Sequence, residues 1–176
     1  TNAQPNNELN FSAINPSRRR PMAAATPERP GASTEAIQHH YDVSNEFYRL
    51  WLDDSMLYSS ALFSEEADDT LEAAQARRLE AIHRMLDTPQ GGDVLEIGCG
   101  WGTLAASLAR RHDARVTGLT LSAEQLAFAR ERGQEWGVAD KLDLRLQDYR
   151  DVQGRFDRIV SIEMIEAVGE DRKSVV

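Results

Sequence analysis

The sequence predicts an α/β protein with a parallel, doubly wound sheet of about four strands, preceded by a short helical segment. Two observations and one general rule carry this. After residue 92 short apolar runs alternate with longer runs of helical period. A cluster of three glycines, "GCGWG", directly follows the first apolar run. Strands separated by helices of this length need right-handed crossovers, and such crossovers build parallel sheets.

The elements follow in order. Residues 1 to 34 hold all but one of the six prolines and have no sustained apolar period, so they read as a disordered arm. Arg18 to Arg20 within it read as a solvated charge run, with contact to acidic lipid as the alternative. The composition then turns aromatic in "HHYDVSNEFYRLWLDDSMLYSSALF", where Phe47, Leu50 and Trp51 recur at i, i+3, i+4 and predict one short helix with a buried stripe. A second helix is expected from Thr70 to Leu86, with Asp69 or Thr70 as its cap and Leu71, Ala74, Leu79, Ile82, Met85 and Leu86 as its apolar face. "DTPQGGD" breaks the chain. Beyond it, 94–98, 114–120, 142–146 and 156–162 read as strands, and 103–111 and 123–136 as helices. In such sheets ligands sit beyond the C-terminal strand ends, near the point where the strand order reverses.

Bulk properties narrow the function. The chain has 176 residues, 20 Lys plus Arg and 29 Asp plus Glu, for a formal charge of −9. That excess of acid argues against a nucleic-acid partner. Cys99 is the single cysteine, which rules out an intrachain disulfide and a cysteine cluster for zinc, so no metal site is expected, and it fits a reducing cytosol. No apolar run approaches the roughly 18 residues that span a bilayer.

Gly98, Gly100 and Gly102 lie between the first strand and its helix. There they allow a sharp turn and a close ligand approach to peptide groups at a helix N-terminus. A dinucleotide site expects GxGxxG or GxGxxA, but Thr103 stands at the third position after the second glycine, and no acid follows about 20 residues on. Both details favour S-adenosylmethionine over NAD. Glu96, just before the loop, then meets the charged methionine end of that cofactor, directly or through water. Thr120 and Gln125 offer hydrogen bonds to a ribose. Gln125 has a second reading, because Ser122 to Gln125, "SAEQ", is a capping box. Asp148 in "QDY" is placed to accept from an adenine amino group, or is a solvated turn aspartate.

The motifs "HHYDVSNEFYRLWLD", "MLYSSALF", "LEIGCGWGTLA", "VTGLTLSAEQ", "LQDYRD" and "FDRIVSIEMIEAVGE" occur in the order and at about the spacing seen in the cyclopropane-fatty-acyl-phospholipid synthase family, which includes the mycolic acid cyclopropane synthases. The chain resembles that family over residues 39 to 170. The resemblance implies a Rossmann-like class I methyltransferase fold, incomplete here. It divides the chain into the arm at 1–34, a helical cap at 35–88 contributing to the cofactor and substrate sites, and an S-adenosylmethionine-binding α/β domain at 89–176. The implied activity moves the methyl of S-adenosylmethionine onto the cis double bond of an unsaturated phospholipid acyl chain. The implied location is cytoplasmic, with peripheral contact at the inner membrane face.

By motif, the resemblance assigns Tyr58 and Ser59 to the cofactor, Gly98, Gly100 and Gly102 to its methionine side, Thr120, Leu121 and Gln125 to the ribose, and Gln147 with Asp148 to the adenine. It also implies a bicarbonate ion as base, held by Glu166 and by the backbone of Ser60, where the family commonly has Cys. Closing a cyclopropane ring requires a proton to leave the newly added methyl, so a base beside an oily substrate makes chemical sense. Tyr41 and Tyr58 are candidates, by position, for stabilising a cation. Met164 and Ile165 read as packing residues and Glu163 as solvated. Ala167 stands where the family often has His. The closing "EDRKSVV" does not continue the family pattern, so a truncated or frame-shifted member that keeps the cofactor half and loses much of the substrate half is expected, with an exposed sheet edge. A non-catalytic cofactor-binding module and a fatty-acid C-methyltransferase making methyl-branched lipids are the alternatives.

Overall fold

A computed structural model describes residues 44–65 and 68–164. The arm at 1–34, Tyr41, Ile165, Glu166, Ala167 and the closing "EDRKSVV" lie outside the described residues. Helix α1 spans Asn45–Tyr48 and α2 Leu71–Leu86. Then come β1 Asp93–Ile97, α3 Thr103–His112, β2 Arg115–Thr120, α4 Ala123–Glu135, β3 Leu142–Leu146 and β4 Arg158–Ser161.

The four strands form one sheet in the order β3-β2-β1-β4, and every pairing is parallel. Val94 of β1 pairs with Val116 on one side and Arg158 on the other, and Val116 pairs with Leu142. The order reverses between β1 and β4, which puts the switch point at the C-terminal end of β1.

Because side chains alternate across a strand, the sheet has two apolar faces. Val94, Val116, Leu144 and Val160 pack with Leu104, Ala105, Leu108 and Ala109 of α3, Leu126 and Ala129 of α4, and Ile82 of α2. The alanines let these helices approach the sheet closely. Leu95, Ile97 and Leu119 form the other face, where Tyr149, Val152, Phe156 and Met164 pack on them. Of the two expected caps, Thr70 caps α2 by accepting from the Ala73 N–H at 3.2 Å, while Asp69 accepts from the Ser64 N–H and pairs with Arg77.

Three expectations need correction. Helix α1 is a single turn, and its buried residue is Tyr48; Phe47, Leu50 and Trp51 are 49%, 80% and 46% exposed. The reason is tertiary: the Trp101 indole donates to Asn45 Oδ1 at 2.6 Å and its ring packs on Tyr48 at 4.7 Å, which turns the Tyr48 side inward. Met85 is 74% exposed, off the apolar face of α2. Strand β4 is shorter than expected, since Phe156 leaves the ladder to pack on the second face and the Asp157 carboxylate accepts from the Asp93 N–H at 2.8 Å.

Candidate functional site

Strand β1 ends in Glu96 and Ile97, and the loop after it must turn into α3. Gly98 and Gly100 take positive φ of 81° and 52°, and the Gly98 and Cys99 N–H groups donate to Leu119 O at 2.9 and 2.7 Å. Gly102, at φ 78°, caps α3 without a side-chain bond. A β-carbon there would lie 2.7 Å from Ala129 Cβ, whereas one at Gly100 would meet nothing within 4 Å. Gly102 therefore serves the contact between α3 and α4, and Gly100 leaves open space.

That space is a cleft of about 90 Å³ at the switch point. Glu96, Cys99 and Gly100 line it from the strand end and loop, Thr103 and Leu104 from the start of α3, and Gln125 from α4. Met56, Leu57 and Tyr58 line it from the N-terminal segment, and Ile162 and Glu163 from beyond β4. Of the residues expected from the sequence, Tyr58, Glu96, Gly100 and Gln125 meet in this one place.

Glu96 is 4% exposed, and its Oε2 has no hydrogen-bond partner among the described residues. Burial raises its pKa to about 8, against an opposing pull from the Ala105 N–H in the first turn of α3. Burial, and then the neighbouring Glu96, push the Cys99 thiol well above its ordinary range, so Cys99 is a protonated packing group here.

Gln125 resolves its two readings in part. Ser122 accepts from the Gln125 N–H at 3.3 Å, so the cap exists. The reciprocal half does not form: Gln125 Oε1 accepts from the Thr120 hydroxyl at 2.8 Å, and the Ser122 N–H donates to Thr120 Oγ1 at 3.2 Å. Thr120 thus holds the Gln125 amide toward the cleft. Leu121 follows, half-buried. The Gln147 N–H donates to Thr120 O at 3.1 Å, which sets the ends of β2 and β3 side by side. Asp148 caps the short turn at 149–151 and pairs with the Arg150 guanidinium. Ser59, Ser60, Gly98, Gly102, Thr120, Leu121, Gln147 and Asp148 do not line the cleft.

The sequence reading missed four residues that assemble this site. Arg132 is 5% exposed and spans the N-terminal segment and the glycine loop, donating to Ser55 O at 2.7 Å, Asp54 O at 3.1 Å and Trp101 O at 3.3 Å, and also to the Thr103 hydroxyl. Trp101 fastens α1. Gln75 of α2 donates to Ser59 O at 2.9 Å and Leu57 O at 3.3 Å. Glu163, expected to be solvated, accepts from the Ser59 hydroxyl at 2.8 Å and the Ser60 N–H at 2.7 Å. One signal was available: Arg132 shares the buried stripe of α4 with Gln125, Leu126 and Ala129, and a cation on such a stripe needs acceptors.

Residues 29–175 match the family model for mycolic acid cyclopropane synthetase. The chain belongs to the mycolic acid cyclopropane synthetase family. A probable fatty acid methyltransferase of Pseudomonas putida is 51% identical over 137 residues, covering 77% of the chain and 34% of the relative. The cyclopropane-fatty-acyl-phospholipid synthase of Escherichia coli K12 is 44% identical over 132 residues, covering 75% and 33%. A solved mycolic acid cyclopropane synthase, CmaA1 complexed with SAH and CTAB, superposes with a TM-score of 0.73 at 33% identity, covering 79% of the chain and 48% of that structure. The chain therefore spans about a third of the length of these curated relatives. The parallel order β3-β2-β1-β4 with its helices is the Rossmann-like α/β arrangement of the cyclopropane synthetase family. Among the described residues no helix is long and apolar enough to cross a membrane, and no group of three or more metal-ligating side chains occurs.

Proposed function

We propose that this chain is the S-adenosylmethionine-binding part of a lipid methyltransferase that acts on the cis double bond of an unsaturated phospholipid acyl chain. The observation that carries the reading is Glu96 in the lining of a cleft at the strand switch point, a buried carboxyl whose Oε2 has no hydrogen-bond partner among the described residues. A buried carboxyl with a spare acceptor calls for a cationic or hydrogen-bonding ligand. The open approach at Gly100 gives such a ligand room.

The residues present fit the cofactor. Glu96 would hold its methionine amino group, Gly100 would admit its backbone approach, and Gln125, held by Thr120, would meet the ribose. Tyr58 and Ser59 would close the cleft from the N-terminal segment, while Leu121, Gln147 and Asp148 stand at the β2 and β3 ends on the side given to the nucleoside. When bound, S-adenosylmethionine supplies an electrophilic methyl group. The chain's own part is to bind, orient and dry the site, and Met56 and Trp101, 3% and 2% exposed, back it with an apolar wall. Bicarbonate does not fit the described residues in the same way. The Ser60 N–H assigned to it already donates to Glu163, so no step is derived through that ion.

A lipid substrate gains support from exposed Phe47, Leu50, Trp51, Leu62 and Phe63 on the segment that carries Tyr58. Trp51 packs edge-on to Tyr58 at 5.4 Å, so this apolar surface runs up to the cleft. The same surface supports peripheral contact with a membrane. A second reading, methyl branching in place of ring closure, is favoured by the similarity to a fatty acid methyltransferase.

Incubation with methyl-labelled S-adenosylmethionine and vesicles of unsaturated phospholipid tests the proposal. Retention of the labelled cofactor is expected of the binding part; label in the acyl chain would show that the described residues also carry the transfer, and proton resonances of a ring methylene or of a branched methyl would then separate the two products. Cofactor binding without label in lipid would leave a non-catalytic binding fragment as the correct reading.

A further inference from the structure

Glu163 joins two walls of the cleft that are more than a hundred residues apart in the chain. Its Oε1 takes the Ser59 hydroxyl at 2.8 Å and the Ser60 N–H at 2.7 Å, and Arg78 of α2 lies 3.9 Å away. Behind the same segment, Gln75 donates to Ser59 O at 2.9 Å. Residues 59 and 60 are thus gripped by carbonyl from α2 and by N–H from beyond β4. Tyr58, just before them, lines the cleft and is 46% exposed. Glu163 itself has φ 52°, in the left-handed region that a residue with a β-carbon avoids at a cost of about 1–2 kcal/mol. A strained backbone that persists because its side chain is held in place points to a function for that contact.

We propose that Glu163 is a positioning residue whose carboxylate straps the Tyr58–Ser60 segment across the cleft and so presents Tyr58 to a bound cofactor. The role toward the cofactor rests on the S-adenosylmethionine reading above; the strap does not. Two donors on one carboxylate oxygen, one of them a backbone N–H, fix the segment's register as well as its distance. Burial works to raise the Glu163 pKa, and the Ser60 and Ser59 donors with the Arg78 charge outweigh it, so the net shift is downward and the strap is ionised at neutral pH.

Hydrogen exchange on the 176-residue chain, read at the Ser60 amide with Val94 and Leu119 as core controls, tests the strap, and calorimetric titration with S-adenosylhomocysteine tests its role. In Glu163→Ala the Ser60 amide should exchange on the order of tenfold faster or more, as loss of a charge-assisted hydrogen bond implies. The Kd should weaken by about the same factor. Glu163→Gln keeps an acceptor oxygen and should recover much of both. If the core controls also open in Glu163→Ala, Ser59→Ala is read instead for exchange alone, since Ser59 itself stands at the cofactor, with a few-fold effect expected. An unprotected Ser60 in the unsubstituted chain, or exchange unchanged in Glu163→Ala, overturns the strap. Faster exchange with an unchanged Kd overturns the role toward the cofactor. A protected Ser60 in a chain that does not bind S-adenosylhomocysteine overturns the cofactor reading itself and leaves the strap standing.

Discussion

Arg132 Nη1 donates to the Ser55 carbonyl at 2.7 Å, across 77 positions of sequence, and this bond ties the N-terminal segment to the α/β core. The same guanidinium reaches Asp54 O and Trp101 O and lies over the Phe128 ring at 4.9 Å. Burial lowers its pKa, against a partial offset from Glu135 and Asp53, so the carbonyls carry much of the task of solvating the charge. Arg132→Met should cost about 2–4 kcal/mol, because several carbonyls lose their donor in a dry site. Arg132→Lys should recover only part of this, since a single ammonium nitrogen lacks the planar two-nitrogen fork that reaches Ser55 O and Asp54 O together. Urea unfolding of the three chains checks both values.

The two cleft glycines should separate stability from binding. Gly102→Ala drives a methyl to 2.7 Å from Ala129 Cβ at φ 78°, and should destabilise by about 2–4 kcal/mol from overpacking and left-handed strain together. Gly100→Ala meets open space and bears the strain alone, about 1–2 kcal/mol. Yet it fills the cleft, so cofactor affinity should fall most in the variant that is more stable. Thermal melts paired with calorimetric titration read the contrast.

Two buried groups tilt stability in opposite directions with pH. His83 is held by Ser107 Oγ at 2.8 Å and His112 Nε2 at 3.1 Å, and burial, then Arg111 and His112, lower its pKa from 6.5 to about 4. The unfolded chain therefore binds a proton that the folded one refuses. Stability should fall as pH drops from 6.5 toward 4, by roughly 2 kcal/mol at pH 5. Glu96, raised from 4.5 to about 8, acts oppositely: its contribution is full below 4.5 and is lost as pH rises through 8. Glu96→Gln should remove the alkaline loss and leave the acid slope, and His83→Gln the reverse. Denaturant midpoints from pH 4.5 to 8.5 decide this.

Loading of the cofactor should release a proton near neutral pH. An ammonium held against Glu96 favours the carboxylate over the buried acid that predominates below about 8. The calorimetric heat of S-adenosylhomocysteine binding should then vary with the ionisation enthalpy of the buffer, and Glu96→Gln should abolish that variation. A heat independent of buffer in the unsubstituted chain would sink this linkage.

The strand and helix alternation was legible because each element is specified locally. "VLEIG", "VTGLT" and "LDLRL" are β-rich runs, Thr70 and Ser122 are caps beside their own helices, and a glycine loop between strand and helix limits what the switch point can hold. Glu96, Gly100 and Gln125 were likewise readable, because each belongs to a short motif at a strand end or helix start, whereas Tyr58 was readable only through the family resemblance. The family follows from the order of six such motifs.

Long-range partners were not legible, because no local pattern encodes them. Glu163 reads as a solvated acid in the sequence, and its Ser60 N–H partner, 2.7 Å away, lies 103 positions back in the chain. Phe47, Leu50 and Trp51 had helical spacing and still face outward, since Trp101 selects the Tyr48 side of that turn. Gln125 had a sound reading as a reciprocal cap, which the Thr120 hydroxyl overrides. The sequence by itself determined the alternation of strands and helices, the parallel sense of the sheet and the glycine loop. Only the tertiary structure decided which polar groups meet across the cleft, since a buried charge takes its partner from whatever the fold brings within 3 Å.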